Sequence, residues 1–218
     1  MSKFDNIKRQ VLDSCRWLAE NGFLGRLSTG GNISVREPGE KIAAITPSGR
    51  SYHSLELTDI CVIDFDQNLI EGSFAPSIEA GMHLGVYRHR PDVNAVIHTH
   101  QPYASTLSTI NKPIPALFDE IFVEIGHVVD IVPYAFSGSA ELVDNVTAKL
   151  ANDCHCYLIQ SHGAMSLGAD MERAMRNSEL LENVARIYCQ ALATGEEIQH
   201  LPPSAMDYFA EMRKLRFE

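Results

Sequence analysis

The chain has 218 residues, 45% of them hydrophobic and 21% charged, and a formal charge of −10. That length supports one well-filled domain, and the acidic balance argues against a nucleic-acid or anionic-membrane partner, since both reward basic surfaces. No uncharged apolar run approaches the ~20 residues of a membrane span, and the N-terminal Met1-Ser2-Lys3-Phe4-Asp5 lacks the apolar core of a secretion signal. Five scattered cysteines (Cys15, Cys61, Cys154, Cys156, Cys189) fit reduced thiols in a cytoplasmic enzyme better than a disulfide framework.

Ile7, Val11, Leu12, Cys15 and Leu18 recur at helical spacing, so an amphipathic helix is expected over residues 4–21. Gly22, Gly25, Gly30 and Gly31 then interrupt the chain ahead of short strand-like segments at 33–35, 42–45 and 60–63. Pro76-Ser77 has the chemistry of a helix start, with Glu79 in the first turn. That helix should run to about Arg88 and stop before Arg90, which precedes Pro91. A strand ending at His98 follows, then helices over about 102–110 and 139–150, a strand over 155–160, a long helix over 169–193 and a shorter terminal one. Short strands mixed with helices, without a regular alternation, predict a mixed or antiparallel sheet covered by helices.

The residues with the clearest chemistry are His98-Thr99-His100 and Ser161-His162-Gly163. Strand side chains alternate faces, so His98 and His100 point to one side, and His162 follows a second apolar run. Three imidazoles with an open fourth position are how catalytic zinc is held, and they leave a positive site for an oxyanion. Glu79 offers a carboxylate for acid–base work beside the ion. The plainer alternative is a pair of hydrogen-bonded strand histidines and a first-turn acid favoured by the helix dipole; a third histidine before a glycine favours the metal. His83 reads as a helix-face neighbour of Glu79 rather than a ligand. In Cys154-His155-Cys156 both thiols would face one way with no second pair to complete a site. Two loops suit an anion: Thr29-Gly30-Gly31-Asn32, with the Asn32 amide, and Thr46-Pro47-Ser48-Gly49-Arg50, with a hydroxyl, backbone amides and a guanidinium.

Five segments, Gly31-Asn32-Ile33-Ser34-Val35-Arg36, Ile45-Thr46-Pro47-Ser48-Gly49, Pro76-Ser77-Ile78-Glu79, Val96-Ile97-His98-Thr99-His100 and Gln160-Ser161-His162-Gly163, together resemble the class II aldolase/adducin family. The resemblance implies one domain over 1–218 of the α/β class, a three-layer α/β/α fold around a mostly antiparallel mixed sheet, and a cyclic homotetramer with active sites between subunits. It implies that His98, His100 and His162 hold Zn²⁺ or another divalent first-row metal, that Glu79 is catalytic and also touches the metal, and that Asn32, Ser48, Gly49 and Ser77 bind a substrate phosphate. Three departures stand out. Ile78 replaces a second phosphate-binding serine, Phe118-Asp119-Glu120 occupies the region of a tyrosine proton donor, and Arg213 falls where another active-site tyrosine would lie. Asp119 is therefore a candidate replacement acid, and Arg50 a further anion contact.

The implied reaction is metal-dependent cleavage of a carbon–carbon bond in a small hydroxylated, phosphorylated substrate, through a metal-stabilised ene-diolate. Loss of CO₂ from a hydroxylated or oxo acid would produce the same kind of anion and is the alternative. A non-catalytic interaction module, as in adducin heads, is disfavoured by the three histidines.

Overall fold

The computed structural model describes residues 2–24 and 30–217. The opening amphipathic pattern forms α1 (Asp5–Glu20), which buries Ile7, Val11, Leu12, Cys15 and Leu18. Among the described residues nine strands follow: β1 (Asn32–Arg36), β2 (Ile42–Ile45), β3 (Cys61–Asp64), β4 (Leu69–Glu71), β5 (Ala95–Thr99), β6 (Ile114–Pro115), β7 (Val128–Val132), β8 (Cys156–Ile159) and β9 (Gly163–Gly168). They form one sheet in the order β4-β3-β2-β1-β5-β9-β8-β7-β6. Among the described pairs only β7 and β8 run parallel; the rest are antiparallel.

The remaining helices are α2 (Ala80–His89), α3 (Pro102–Thr109), α4 (Asp119–Glu124), α5 (Ala140–Thr147), α6 (Met171–Thr194) and α7 (Pro203–Phe217). Side-chain alternation sorts the core into two layers. Val96, Met165 and Leu167 pack with Met82, Leu84 and Val86 of α2 and Leu142 and Val146 of α5. On the other face Ile33, Val35, Ala95 and Ile97 meet α1, while Leu158 and Ala164 meet α3 and α6. The result is the expected α/β/α sandwich.

Several boundaries differ from the sequence expectation. Pro76 pairs with Pro47 in an isolated bridge, and α2 begins only at Ala80, with Glu79 at its N-cap. The Ser77 hydroxyl accepts from the Glu79 amide, so Ser77 holds the turn before the helix and does not cap it. Strands β4, β6, β7 and β9 and helix α4 were not anticipated. For β9 the reason is physical: Gly163-Ala164-Met165-Ser166-Leu167-Gly168 has weak strand propensity, and pairing with β5 and β8 on both sides imposes the extended form. In contrast, α6 is capped as its sequence suggests: Asp170 accepts from the Arg173 amide, and Gly195 closes the helix at φ 74°.

Cys154-His155-Cys156 is structural. Both thiols are buried, burial pushes the Cys156 thiol up to about 12, and the His155 ring donates to the Glu124 carbonyl. Burial holds the His155 imidazole down to about 4, with the Arg213 charge adding to the effect. Burial likewise holds His83 down to about 3. Both bases have folded values below the ordinary 6.5, so as acid is added the unfolded chain takes up protons first. Their contribution to stability is complete above about pH 6.5 and is lost as pH falls toward 4, by roughly 1.4 kcal/mol per pH unit for each histidine. Urea unfolding from pH 7 to 5 should show this decline, and His155→Gln should make it shallower by one proton. An unchanged slope in that variant would contradict burial as a neutral imidazole.

Candidate active site

The sheet register brings the site together. Asn32 of β1 lies opposite His98 of β5, and His98 lies opposite Met165 of β9. His98 therefore stands in the middle of the sheet on the α2 face, and His100 lies two residues further on at the strand end. His162 enters from the tight β8–β9 turn, where Ser161 takes φ 53° and the His162 amide bonds the Ile159 carbonyl. The three ring centroids lie 4.7 to 5.4 Å apart, and one nitrogen from each ring falls within 4.8 Å of the others.

Glu79 reaches the same point from the α2 N-cap. Its side chain does not cap the helix. Instead it is 5% exposed, with Oε2 3.5 Å from His98 Nε2 and Oε1 3.4 Å from His162 Nε2. His98 Nδ1 donates to the Ala164 carbonyl, which turns the Nε2 lone pair inward, 3.1 Å from His100 Nε2. Burial pushes the His98 imidazole well below the ordinary range, and His100 and His162 push it further. His100 is lowered mainly by burial, with His162 adding and Glu79 opposing. Both rings are thus neutral near pH 7, the form that binds metals.

These residues fit a divalent cation. Ligands at about 2.0–2.1 Å on a tetrahedron stand about 3.3 Å apart, close to the 3.1, 3.4 and 3.5 Å separations seen here. Among the described residues Glu79 Oε1 is buried with no hydrogen-bond partner. Leaving a carboxylate oxygen in that state is costly unless a cation or a proton reaches it. The cluster is also packed by glycine: a Cβ on Gly163 would come within 2.4 Å of the Thr99 carbonyl and 2.7 Å of His100 Cδ2. Gly163→Ala should shift the imidazoles and weaken divalent-ion binding by roughly 10–100-fold, as supporting contacts around metal sites do. Competition against a chromophoric chelator measures this; unchanged affinity would contradict the tight packing.

The anticipated anion loops meet beside Glu79. Ser48 donates its amide to the Ala75 carbonyl and Ser77 its amide to the Thr46 carbonyl, at 2.9 and 3.0 Å. These two amides are engaged and unavailable to a ligand, which corrects the expectation for the Ser48 backbone. Ser48 and Ser77 retain hydroxyls, while Gly49 and Arg50 are exposed, with the Arg50 guanidinium 3.8 Å over the Phe74 ring. Asn32, expected on the anion, is buried, and its amide donates to Glu79 Oε2 at 2.7 Å. Thr29 of the first loop lies outside the described residues.

Asp119 opens α4 and is exposed; among the described residues no hydrogen bond joins it to the imidazole cluster. Arg213 lies apart from the imidazole cluster of its own chain. It donates to the Val123 and Asp153 carbonyls beside His155, at the opposite end of β8 from His162. Sequence reading missed Ser137, whose Oγ is 3.5 Å from His162 Nε2, and the part played by His83. The spacing of Glu79 and His83 at i, i+4 was the available signal for the latter.

The Class II Aldolase and Adducin N-terminal domain matches residues 9–189. An L-fuculose phosphate aldolase of Methanocaldococcus jannaschii is 39% identical over 183 residues, covering 83% of this chain and 94% of that protein. A 5-deoxy-D-ribulose 1-phosphate aldolase of Bacillus thuringiensis is 34% identical over 183 residues, covering 84% of each. Among solved structures, an L-fuculose 1-phosphate aldolase superposes with a TM-score of 0.89 at 34% identity over 98% of both chains.

Proposed function

The chain belongs to the class II aldolase and adducin family, and on that premise we propose that it is a zinc-dependent lyase that cleaves a carbon–carbon bond in a phosphorylated ketose. One observation carries this reading: a buried carboxylate, Glu79, with an oxygen that has no hydrogen-bond partner among the described residues, beside three converging imidazoles. His98, His100 and His162 would hold the ion, with Glu79 as a further contact. When bound, a divalent cation supplies Lewis acidity to a substrate carbonyl.

The protein's own residues supply the rest. Glu79 Oε1 takes and returns the proton, while Oε2 stays tied to the Asn32 amide. The Ser48 and Ser77 hydroxyls, Gly49 and Arg50 hold the phosphate at the rim. The names of the relatives, two aldolases of sugar phosphates, support this substrate class over a carboxylic acid. Ile78, 65% exposed beside Ser77, and Phe136, 74% exposed beside Ser137, are apolar surface of the kind a second subunit covers, and they support a homo-oligomer, for which the family resemblance implies four subunits. Five free thiols suit the cytoplasm.

The test is to incubate the zinc-loaded protein with phosphorylated ketoses and, separately, with β-keto acids. Aldehyde release without CO₂ is the expected result. CO₂ without aldehyde would replace the lyase reading with decarboxylation on the same centre.

A further inference from the structure

Behind Glu79 lies a buried line of polar groups that the proton step does not itself use. Tyr87 and Ser34 oxygens are 2.7 Å apart, Ser34 Oγ is 2.7 Å from His83 Nδ1, and His83 Nε2 is 2.5 Å from Asn32 Oδ1. Asn32 Nδ2 then reaches Glu79 Oε2. All four residues are buried.

Donor direction along this line is fixed by chemistry. The Glu79 carboxylate only accepts, so Asn32 presents Nδ2 to it and Oδ1 to His83; an amide oxygen only accepts, so His83 carries its proton on Nε2. The neutral ring then accepts at Nδ1, so the Ser34 hydroxyl donates to it, and Ser34 accepts in turn from the Tyr87 hydroxyl. Every hydrogen bond points one way, from Tyr87 toward the carboxylate. The consequence concerns Asn32. An amide can sit in its pocket either way round, and only one orientation presents N–H to Glu79; the other presents an oxygen lone pair to an anion. His83 Nε2–H reinforces the orientation the carboxylate already favours, because it too needs Oδ1 facing itself.

We infer that His83 is a positioning residue of the active site: by holding Asn32 one way round, it keeps Glu79 Oε2 anchored and leaves Oε1 for the reacting proton. This rests on the proposed lyase reading for its kinetic consequence, but not for its geometry. Apart from its bond to Asn32, His83 touches neither the imidazole cluster nor the loop of Ser48, Gly49 and Arg50 through any described hydrogen bond, so its removal should spare the proposed phosphate contacts.

Four variants and one spectrum test it. His83→Leu should lower kcat by roughly 10–100-fold with KM changed by less than about threefold. His83→Gln, whose amide nitrogen can donate to Asn32 Oδ1, should recover most of that loss. The double variant His83→Leu/Asn32→Ala should be no slower than Asn32→Ala alone, since His83 acts through Asn32. Additive losses, or a glutamine variant as poor as leucine while equally stable, would overturn the assignment. Independently of any activity, ¹⁵N spectra of histidine-labelled, metal-free protein should show His83 as the Nε2–H tautomer, and an Nδ1–H tautomer would overturn it. If the wild-type protein cleaves no phosphorylated ketose, the function fails, and the tautomer alone then decides the positioning claim.

Discussion

Glu79→Gln is expected to bind zinc at a stoichiometry close to that of the wild type and to turn over about 10²–10⁴-fold more slowly, the range that general acid–base groups contribute. The substitution preserves shape. A glutamine oxygen can still accept from Asn32 Nδ2, as Glu79 Oε2 does at 2.7 Å, and the N-cap backbone of α2 is untouched because the side chain makes no cap. What disappears is a carboxylate that can carry a proton at Oε1. The loss should therefore fall on kcat, with KM for a phosphorylated ketose nearly constant, since the phosphate groups proposed at Ser48, Gly49, Arg50 and Ser77 remain. Steady-state kinetics with metal analysis on the same preparation checks both halves. Retained turnover would remove Glu79 from proton transfer, and zinc lost together with activity would make it chiefly a ligand.

Much of this site was legible because strand periodicity is strict. The i, i+2 spacing of His98 and His100 on a β-branched run could only aim both rings to one side, and the structure has them 4.9 Å apart, centroid to centroid. Register was not legible. That Asn32 faces His98 across β1 and β5 depends on which strands pair, and no local pattern encodes it. Asn32 was accordingly read as an anion donor when its buried amide is tied to Glu79. The β9 strand escaped for a related reason: its residues are chosen to let three chains pass close together, as Gly163 does against Thr99 and His100, so they carry little strand signal. β7 is a different case. Val128-Val129-Asp130-Ile131-Val132 has ample β-branched character, so its strand signal was present in the sequence. The boundary error at α2 came from Pro76-Ser77, residues that suit a helix start and a turn equally well; the bridge to Pro47 decided between them.

The largest effect is expected from His98→Ala, which should abolish metal binding and activity together. His98 stands between β1 and β9 in the sheet interior, fully buried, with Nδ1 held by the Ala164 carbonyl. Truncation leaves two imidazoles where a catalytic site needs three protein ligands, and it removes the side-chain donor to the Ala164 carbonyl. The backbone ladder on either side is unaffected, so the chain should still fold. A ligand that binds only the folded state stabilises it by about 4 kcal/mol at 1,000 times its Kd. Zinc should thus raise the thermal midpoint of the metal-free wild-type protein and leave that of His98→Ala unchanged, with cleavage of phosphorylated ketoses at background. His83→Gln serves as the control, because it removes a buried imidazole from the same region without touching the cluster, and zinc should still stabilise it. An equal zinc shift in wild type and His98→Ala would mean that the ion binds elsewhere. No shift in the wild type, with no metal in the purified protein, would favour the non-catalytic adducin-like reading despite the three histidines.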